Sequence, residues 1–253
     1  MIDVSSDWLV PWHTPEEPAF RLFAVGHAGT GAAPFRAWAT AFAPVGGELV
    51  ALRLPGRERR LREPPLGRLD ELANEACDAI SHLTSQPFAF FGHCSGALVA
   101  HAIVRELRQR GLALPYLLVA AAELGPRAAG EHYHQRMVPT NLRERLVALG
   151  GTPPDILENP DLLKLLTPAL EADFKVIDSY RYVPDSPLDI SIVALEGSDD
   201  TVTDPEGIRT WAEESSRPLH VRTVDGDHFF TGDSWLRLGS AVALVAAEQL
   251  RAR

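Results

Sequence analysis

The sequence predicts an α/β fold: a mostly parallel central sheet flanked by helices, with a helical insertion late in the chain. Three observations predict it. Short apolar runs alternate with helical periodicity through the first half. One run ends in a glycine–x–cysteine–x–glycine turn that opens a helix. Between about 125 and 182 the strand signals stop, and helical pieces punctuated by prolines take over.

The elements follow in order. Residues 20–26 (FRLFAVG) form an apolar run that feeds the glycine-rich turn HAGTGA, a strand and its loop. Residues 33–42 have helical spacing. Residues 48–54 (ELVALRL) predict a second strand, stopped by Pro55-Gly56. Leu69, Leu72, Ala76, Ala79, Ile80 and Leu83 recur at helical intervals. Residues 88–91 and 116–122 predict the third and fourth strands, with a helix over 95–110 between them. In the insertion, helical pieces fall at 141–149, 155–157, 160–166 and 168–180. Prolines at 139, 153, 154, 160 and 168 separate them. A helical insertion between sheet strands predicts a lid over a site. A strand at 190–195, a helix at 205–214, a strand at 219–223 and a closing helix at 235–251 complete the pattern. The whole chain, 1–253, is expected to be one domain.

Composition narrows the function. Apolar residues make up 45% and charged residues 23%, as in an ordinary globular protein. No run of about 18 apolar residues is present, so no membrane span is expected. The first ten residues have neither the basic start nor the apolar run of a secretory signal. Two cysteines, Cys77 and Cys94, make no disulfide framework, and a cytoplasmic location is the expectation. The net charge of −10 argues against nucleic acid as a partner. One basic stretch stands out: Arg53, Arg57, Arg59, Arg60 and Arg62 crowd into LRLPGRERRLREPP. The sequence has no paired-cysteine ligand set and no dinucleotide glycine spacing, so no metal or cofactor is expected. Nothing demands an oligomer, and a monomer is expected.

The chemistry concentrates in FAFFGHCSGALVA. Gly92 and Gly96 stand two residues either side of Cys94, in a strand–turn–helix frame. A nucleophile elbow has this layout, because the turn is strained and side chains at its flanks would clash. It identifies the α/β-hydrolase fold and Cys94 as candidate nucleophile. His228, in the loop DGDHFF before the last helix, holds the expected final place in the order nucleophile, acid, histidine. The orienting acid is Asp200, at a strand end in ALEGSDDTV, with Asp199 as the alternative; Asp225 and Asp227 are expected to be turn formers. The backbone amides of Ser95 and Ala28 are the candidate oxyanion donors, with Gly29 next in line. His27 and His93 flank the site and are candidate substrate contacts that transfer no protons.

Together these motifs resemble the type II thioesterases, stand-alone α/β-hydrolases that accompany nonribosomal peptide and polyketide synthases. The resemblance runs from about 21 to 230. It includes HAG, LPGRERRLREPPL, GHCSGA, GGTPPDIL, LLKLLTPALEADFKVIDSYRY and DHFF. It implies Cys94, Asp200 and His228 as a triad and the Ala28 and Ser95 amides as the oxyanion hole. The implied substrates are acyl groups on the phosphopantetheine arm of acyl or peptidyl carrier proteins. The sequence departs from the family pattern near the site. Cys94 replaces serine, Ser95 replaces a bulky apolar residue, and Gly26 replaces the proline before His27. Asp227 replaces a glycine, and AAELGPRAAG replaces an arginine-rich stretch.

A thiol with an ordinary pKa of about 8.5, lowered by a histidine partner, is a ready nucleophile toward thioesters. The acyl group would pass to Cys94 and then to water. Because an acyl-cysteine stays activated, transfer or cyclisation onto an amine, alcohol or thiol is the alternative. A non-catalytic relative that binds carrier proteins is the second alternative. The arginine-rich stretch, Arg57 and Arg59 above all, is the candidate carrier-docking surface, with Glu58 and Glu63 as competing internal partners.

Overall fold

The computed structural model describes residues 7–135 and 141–253. Residues 1–6 of the N-terminal segment, and Pro139 in the insertion, lie outside the described residues. The first half comprises β1 (Leu9–His13), β2 (Phe20–Val25), a 3-10 stretch (Ala33–Trp38) leading into α1 (Ala39–Phe42), β3 (Gly47–Leu52), α2 (Leu69–Ile80), β4 (Phe88–His93), α3 (Ser95–Gln109) and β5 (Leu117–Ala121). The insertion holds α4 (Pro126–Gln135), α5 (Leu142–Leu149), α6 (Pro154–Leu157) and α7 (Pro160–Asp178). Then come β6 (Ser191–Gly197), α8 (Pro205–Arg209), β7 (His220–Val224) and α9 (Asp233–Arg251).

The sheet has seven strands in the order β1-β3-β2-β4-β5-β6-β7. Only β1 is antiparallel, paired with β3; the other pairings are parallel. The architecture is that of an α/β-hydrolase, with the sheet covered on both faces.

Period-two alternation in the strands divides the core. Phe23, Val50, Phe90 and Ile192 point to the side covered by α2 and α3. Leu22, Leu49, Phe91 and Val193 point to the side covered by α1 and α9. Residues i and i+2 of a strand share a face, so each strand serves two cores. On the α9 side, Trp38 donates its indole N–H to the Trp235 carbonyl at 2.9 Å.

Three elements differ from the sequence reading. The edge strand β1 was not expected. Pro11 interrupts its pattern, and its pairing with β3 shifts register between Pro11 and His13, which an edge strand tolerates. The segments 160–166 and 168–180, read as separate helices, form the single helix α7 with Pro168 inside it. α4 has few apolar residues, and no periodicity marked it.

α4 to α7 lie between β5 and β6 and form a cap with a core of its own: Leu146, Leu170, Phe174 and Ile177, with Leu163 and Leu166 packed against them. No helix among the described residues is long and apolar enough to cross a membrane.

Candidate active site

Cys94 lies between the buried end of β4 and the first residue of α3, with φ 51° and ψ −132°. That conformation costs an L-residue about 1–3 kcal/mol, and close backbone packing holds it there. A Cβ at Gly92 would meet the Ala97 amide nitrogen at 2.5 Å, and one at Gly96 would meet the Val25 carbonyl oxygen at 2.7 Å. Neither neighbour can yield, because both are backbone. The two glycines are therefore what lets β2, the elbow and α3 come together. Cys94 also donates its own amide to the Ala121 carbonyl at 2.8 Å, which ties the turn to the end of β5.

His228 arrives from the loop after β7. Its Nδ1 lies 3.0 Å from Asp200 Oδ2 and 3.1 Å from Thr203 Oγ1, so Nδ1–H is held toward these oxygens. Nε2 is left free of these two oxygens, and Cys94 lines the same pocket as His228. Burial alone would lower the pKa of His228. The hydrogen bonds and negative charges of Asp200 and Cys94 outweigh burial and push it up to about 10. Asp200 accepts the Val202 and Thr203 amides at 2.8 and 3.0 Å on its other oxygen. Burial opposes its ionisation, but His228 and these two amides hold its pKa below the ordinary carboxylate value. Asp199 is exposed and takes the Ser198 hydroxyl at 2.9 Å instead. Asp227 caps the turn through Thr231.

The Ser95 amide opens α3, in the first turn, where N–H groups have no intrahelical acceptor. Ala28 lines the same pocket as Cys94. The Gly29 amide is committed elsewhere, to Asp173 Oδ2 at 2.7 Å, and so is no oxyanion donor. His27 lines the pocket as a neutral ring. Its Nδ1–H donates to the Ala28 carbonyl at 2.9 Å, and its Nε2 accepts the Thr30 hydroxyl at 2.7 Å. Burial, with the charge of His228, lowers its pKa to about 4 despite the Ala28 bond.

Two sequence expectations are corrected. His93 is fully buried, so it is no substrate contact. Its Nε2–H donates to the His228 carbonyl at 2.8 Å, which supports the histidine from behind. Burial and the neighbouring His27 hold the ring neutral. Arg57 is only 6% exposed and is no docking residue. It grips Asp173 of α7 with both ends of its guanidinium, at 3.0 and 2.8 Å, and donates to the Thr30 carbonyl at 3.1 Å. Arg57, Asp173 and Gly29 thus tie the cap helix to the loop carrying Ala28. Arg53 and Arg60 are also paired, with Glu58 and Glu63. Arg59 and Arg62 are exposed.

Sequence reasoning missed Thr203, Asp173 and Glu123. Thr203 lies three residues beyond Asp200 in the same turn, close enough to have been considered. Asp173 and Glu123 gave no local signal.

The cap closes over a pocket with about 770 Å³ of empty space, its open mouth included, and with Cys94 and His228 in its wall. Residues 20–237 match the model of the family described as the thioesterase domain. The chain belongs to this family. Among curated proteins, this thioesterase is 34% identical to the gramicidin S biosynthesis protein GrsT of Aneurinibacillus migulanus, over 90% of this chain and 89% of that one. Among solved structures it is similar to the RedJ thioesterase from the prodiginine pathway of Streptomyces coelicolor, with 30% identity, TM-score 0.82 and 91% and 92% of the two chains covered. It is similar also to the type II thioesterase BorB from the borrelidin biosynthetic cluster, with 31% identity, TM-score 0.80 and 96% and 98% covered.

Proposed function

We propose that this thioesterase releases acyl groups carried as phosphopantetheine thioesters on acyl or peptidyl carrier proteins of nonribosomal peptide or polyketide biosynthesis, and that Cys94 is its nucleophile. One observation carries the reading. His228 is hydrogen-bonded through Nδ1 to Asp200 and shares the wall of a capped pocket with Cys94, whose charge favours the protonated ring. The relatives named above belong to gramicidin S, prodiginine and borrelidin biosynthesis, which supports the choice of carrier-bound substrates.

The proposed steps use only this chain's own groups. The Cys94 sulfur, as thiolate beside protonated His228, attacks the thioester carbonyl carbon. The Ala28 and Ser95 amides receive the developing oxyanion. The bond to the pantetheine sulfur breaks, and His228 Nε2–H protonates that sulfur. The acyl group now sits on Cys94, and His228 is neutral. A water then gives a proton to His228 and its oxygen to the acyl carbon, and the bond to Cys94 breaks. The free acid leaves, and the thiolate–imidazolium pair is restored. Asp200 holds the ring and its charge throughout. No metal or organic cofactor enters these steps. We take the chain to act as a single catalytic domain, as a monomer in the cytoplasm, in keeping with its two unpaired cysteines.

Cysteine in place of serine favours a second reading. The acyl-enzyme remains a thioester, so an amine, alcohol or thiol can replace water as acceptor. Intact-mass analysis after mixing with an acyl-phosphopantetheinyl carrier protein tests both. Wild type should gain the acyl mass, and Cys94→Ala should not. Decay of the adduct in water alone supports hydrolysis, and decay only on adding an acceptor supports transfer. No adduct and no loss of acyl from the carrier would overturn both, in favour of a non-catalytic carrier-binding relative. Arg59 remains a proposed docking residue. Arg59→Glu should raise KM for the carrier-bound substrate and spare a small thioester.

A further inference from the structure

The pocket before Cys94 is walled largely by apolar side chains, among them Leu124, Leu146, Phe174 and Ile177. Among its described lining residues there is one carboxylate, Glu123. It stands two residues beyond β5, next to the elbow strand in the sheet. Ala122, just before it, has a left-handed φ of 50°. An alanine is strained in that conformation, and the sharp turn carries Glu123 to the pocket wall.

Glu123 is 4% exposed and has few donors for a carboxylate. The Leu124 amide reaches one oxygen at 3.0 Å, and the Tyr133 hydroxyl lies 2.9 and 2.8 Å from the two oxygens. A phenol has one proton to donate, whereas a carboxylate offers about four acceptor sites. Burial pushes the carboxyl up to about 7, against the pull of Tyr133, of the His228 charge and of the Leu124 amide.

Two cationic groups of the pocket wall are already matched. Arg145 lines the pocket, but both ends of its guanidinium hold Asp178 at 2.8 and 2.7 Å, and it stacks on Phe174. His228 is matched by Asp200 and Cys94. Each oxygen of Glu123 has a donor and keeps acceptor capacity for another, and what enters this pocket is the acyl group.

We propose that Glu123 is a specificity-determining residue that receives the ammonium of an amine-bearing acyl group whose thioester carbonyl lies at Cys94. The inference rests on the thioesterase reading above and names its substrate class.

The test compares four acyl groups on the same carrier protein: alanyl and 4-aminobutyryl, each against its amine-free counterpart, propionyl and butyryl. Wild type should turn over at least one amine-bearing member about tenfold or more better in kcat/KM, the scale of a hydrogen bond to a charged group. Glu123→Gln should lose that preference while keeping turnover of the amine-free member, which also shows that the variant is folded. Glu123→Asp should restore part of it. No preference in wild type would overturn the proposal. So would an equal loss on both members in Glu123→Gln, which would make Glu123 a structural or proton-transferring group. Turnover of none of the four by wild type would overturn the thioesterase reading, and this inference with it.

Discussion

The carboxyl end of the sheet and the cap above it build one site by different means. β2 and β4 are buried at every residue, and the elbow they support is wedged backbone against backbone. In the cap, α7 leaves Leu162 41% exposed and Leu165 49% exposed. Its polar tie to the loop carrying Ala28 is the buried pair of Asp173 with Arg57 and the Gly29 amide. The Cys94 turn is thus fixed by packing that cannot give and Asp200 and His228 by hydrogen bonds in their loops, while the cap joins the base through this tie and through apolar contacts such as that of Val176. A stiff elbow under a separately built cover suits a pocket that must admit a tethered substrate.

The largest effect expected from breaking this contrast is at the elbow. In Gly92→Ala the new Cβ would press on the Ala97 backbone. A loss above about 4 kcal/mol is expected, enough that thermal melts should show a much lower Tm or no folded protein at all. A mild change would mean that the elbow yields, and the base would be no stiffer than the cap.

Asp200→Asn comes next. The site should keep its shape, but the charge that holds the His228 imidazolium disappears. A fall in kcat of about 10⁴ is expected, by analogy with the same change in serine triads, and somewhat less if the thiolate needs no help in forming. Steady-state rates on a small thioester check it. Unchanged kcat would remove Asp200 from the mechanism.

These two sites also mark what was legible in the sequence. The parallel strands announced themselves as apolar runs, and the elbow as two glycines at fixed distance from one cysteine. Both signals are local, because the packing that demands them acts on neighbours in the chain. Asp199 and Asp200 were separable only by the turn geometry, which gives Asp200 the Val202 and Thr203 amides and Asp199 the Ser198 hydroxyl. The burial of Arg57 was not legible, since its partner Asp173 is 116 residues away. Long-range pairing leaves no periodicity. Glu123 was hidden for a different reason: its partners Leu124 and Tyr133 are near in the chain, but nothing in that stretch says that it reaches a pocket.

The cap's tie should matter less than the triad but more than any exposed cap residue. Asp173→Asn leaves Arg57 buried beside a neutral partner. Breaking one side of a buried pair costs about 3–5 kcal/mol, or about 10 °C in Tm for a chain of this size. Arg59→Glu, an exposed change in the same stretch, should leave Tm where it is. Equal melts for the two would mean that the Arg57 pair does not fasten the cap.

The pH dependence of stability should show both edges of the site. His228 has a folded pKa of about 10, above its unfolded value, so its contribution is complete below about 6.5 and is lost as pH rises through 10. His27 has a folded pKa of about 4, below its unfolded value, and resists protonation. Its contribution is complete above about 6.5 and is lost as pH falls toward 4. Tm should therefore peak near neutrality. In Cys94→Ala, His228 loses one of the groups that raise its pKa, so the alkaline edge should move to lower pH while the acid edge stays. A shift at neither edge would separate Cys94 from His228.

The smallest effects should come from the outer face of α7, and they sharpen the contrast within a single helix. Leu170 is 5% exposed and packs with Leu146, Phe174 and Ile177. Leu170→Ala should cost about 2–5 kcal/mol. Leu165 is half in water, so Leu165→Lys should stay within about 0.5 kcal/mol, because a lysine stem covers much the same surface. Thermal melts of the pair read the difference directly. A loss at 165 as large as that at 170 would mean that the outer face of the cap is packed as tightly as its inner face, and the cap would then have to be counted with the sheet as part of the rigid base.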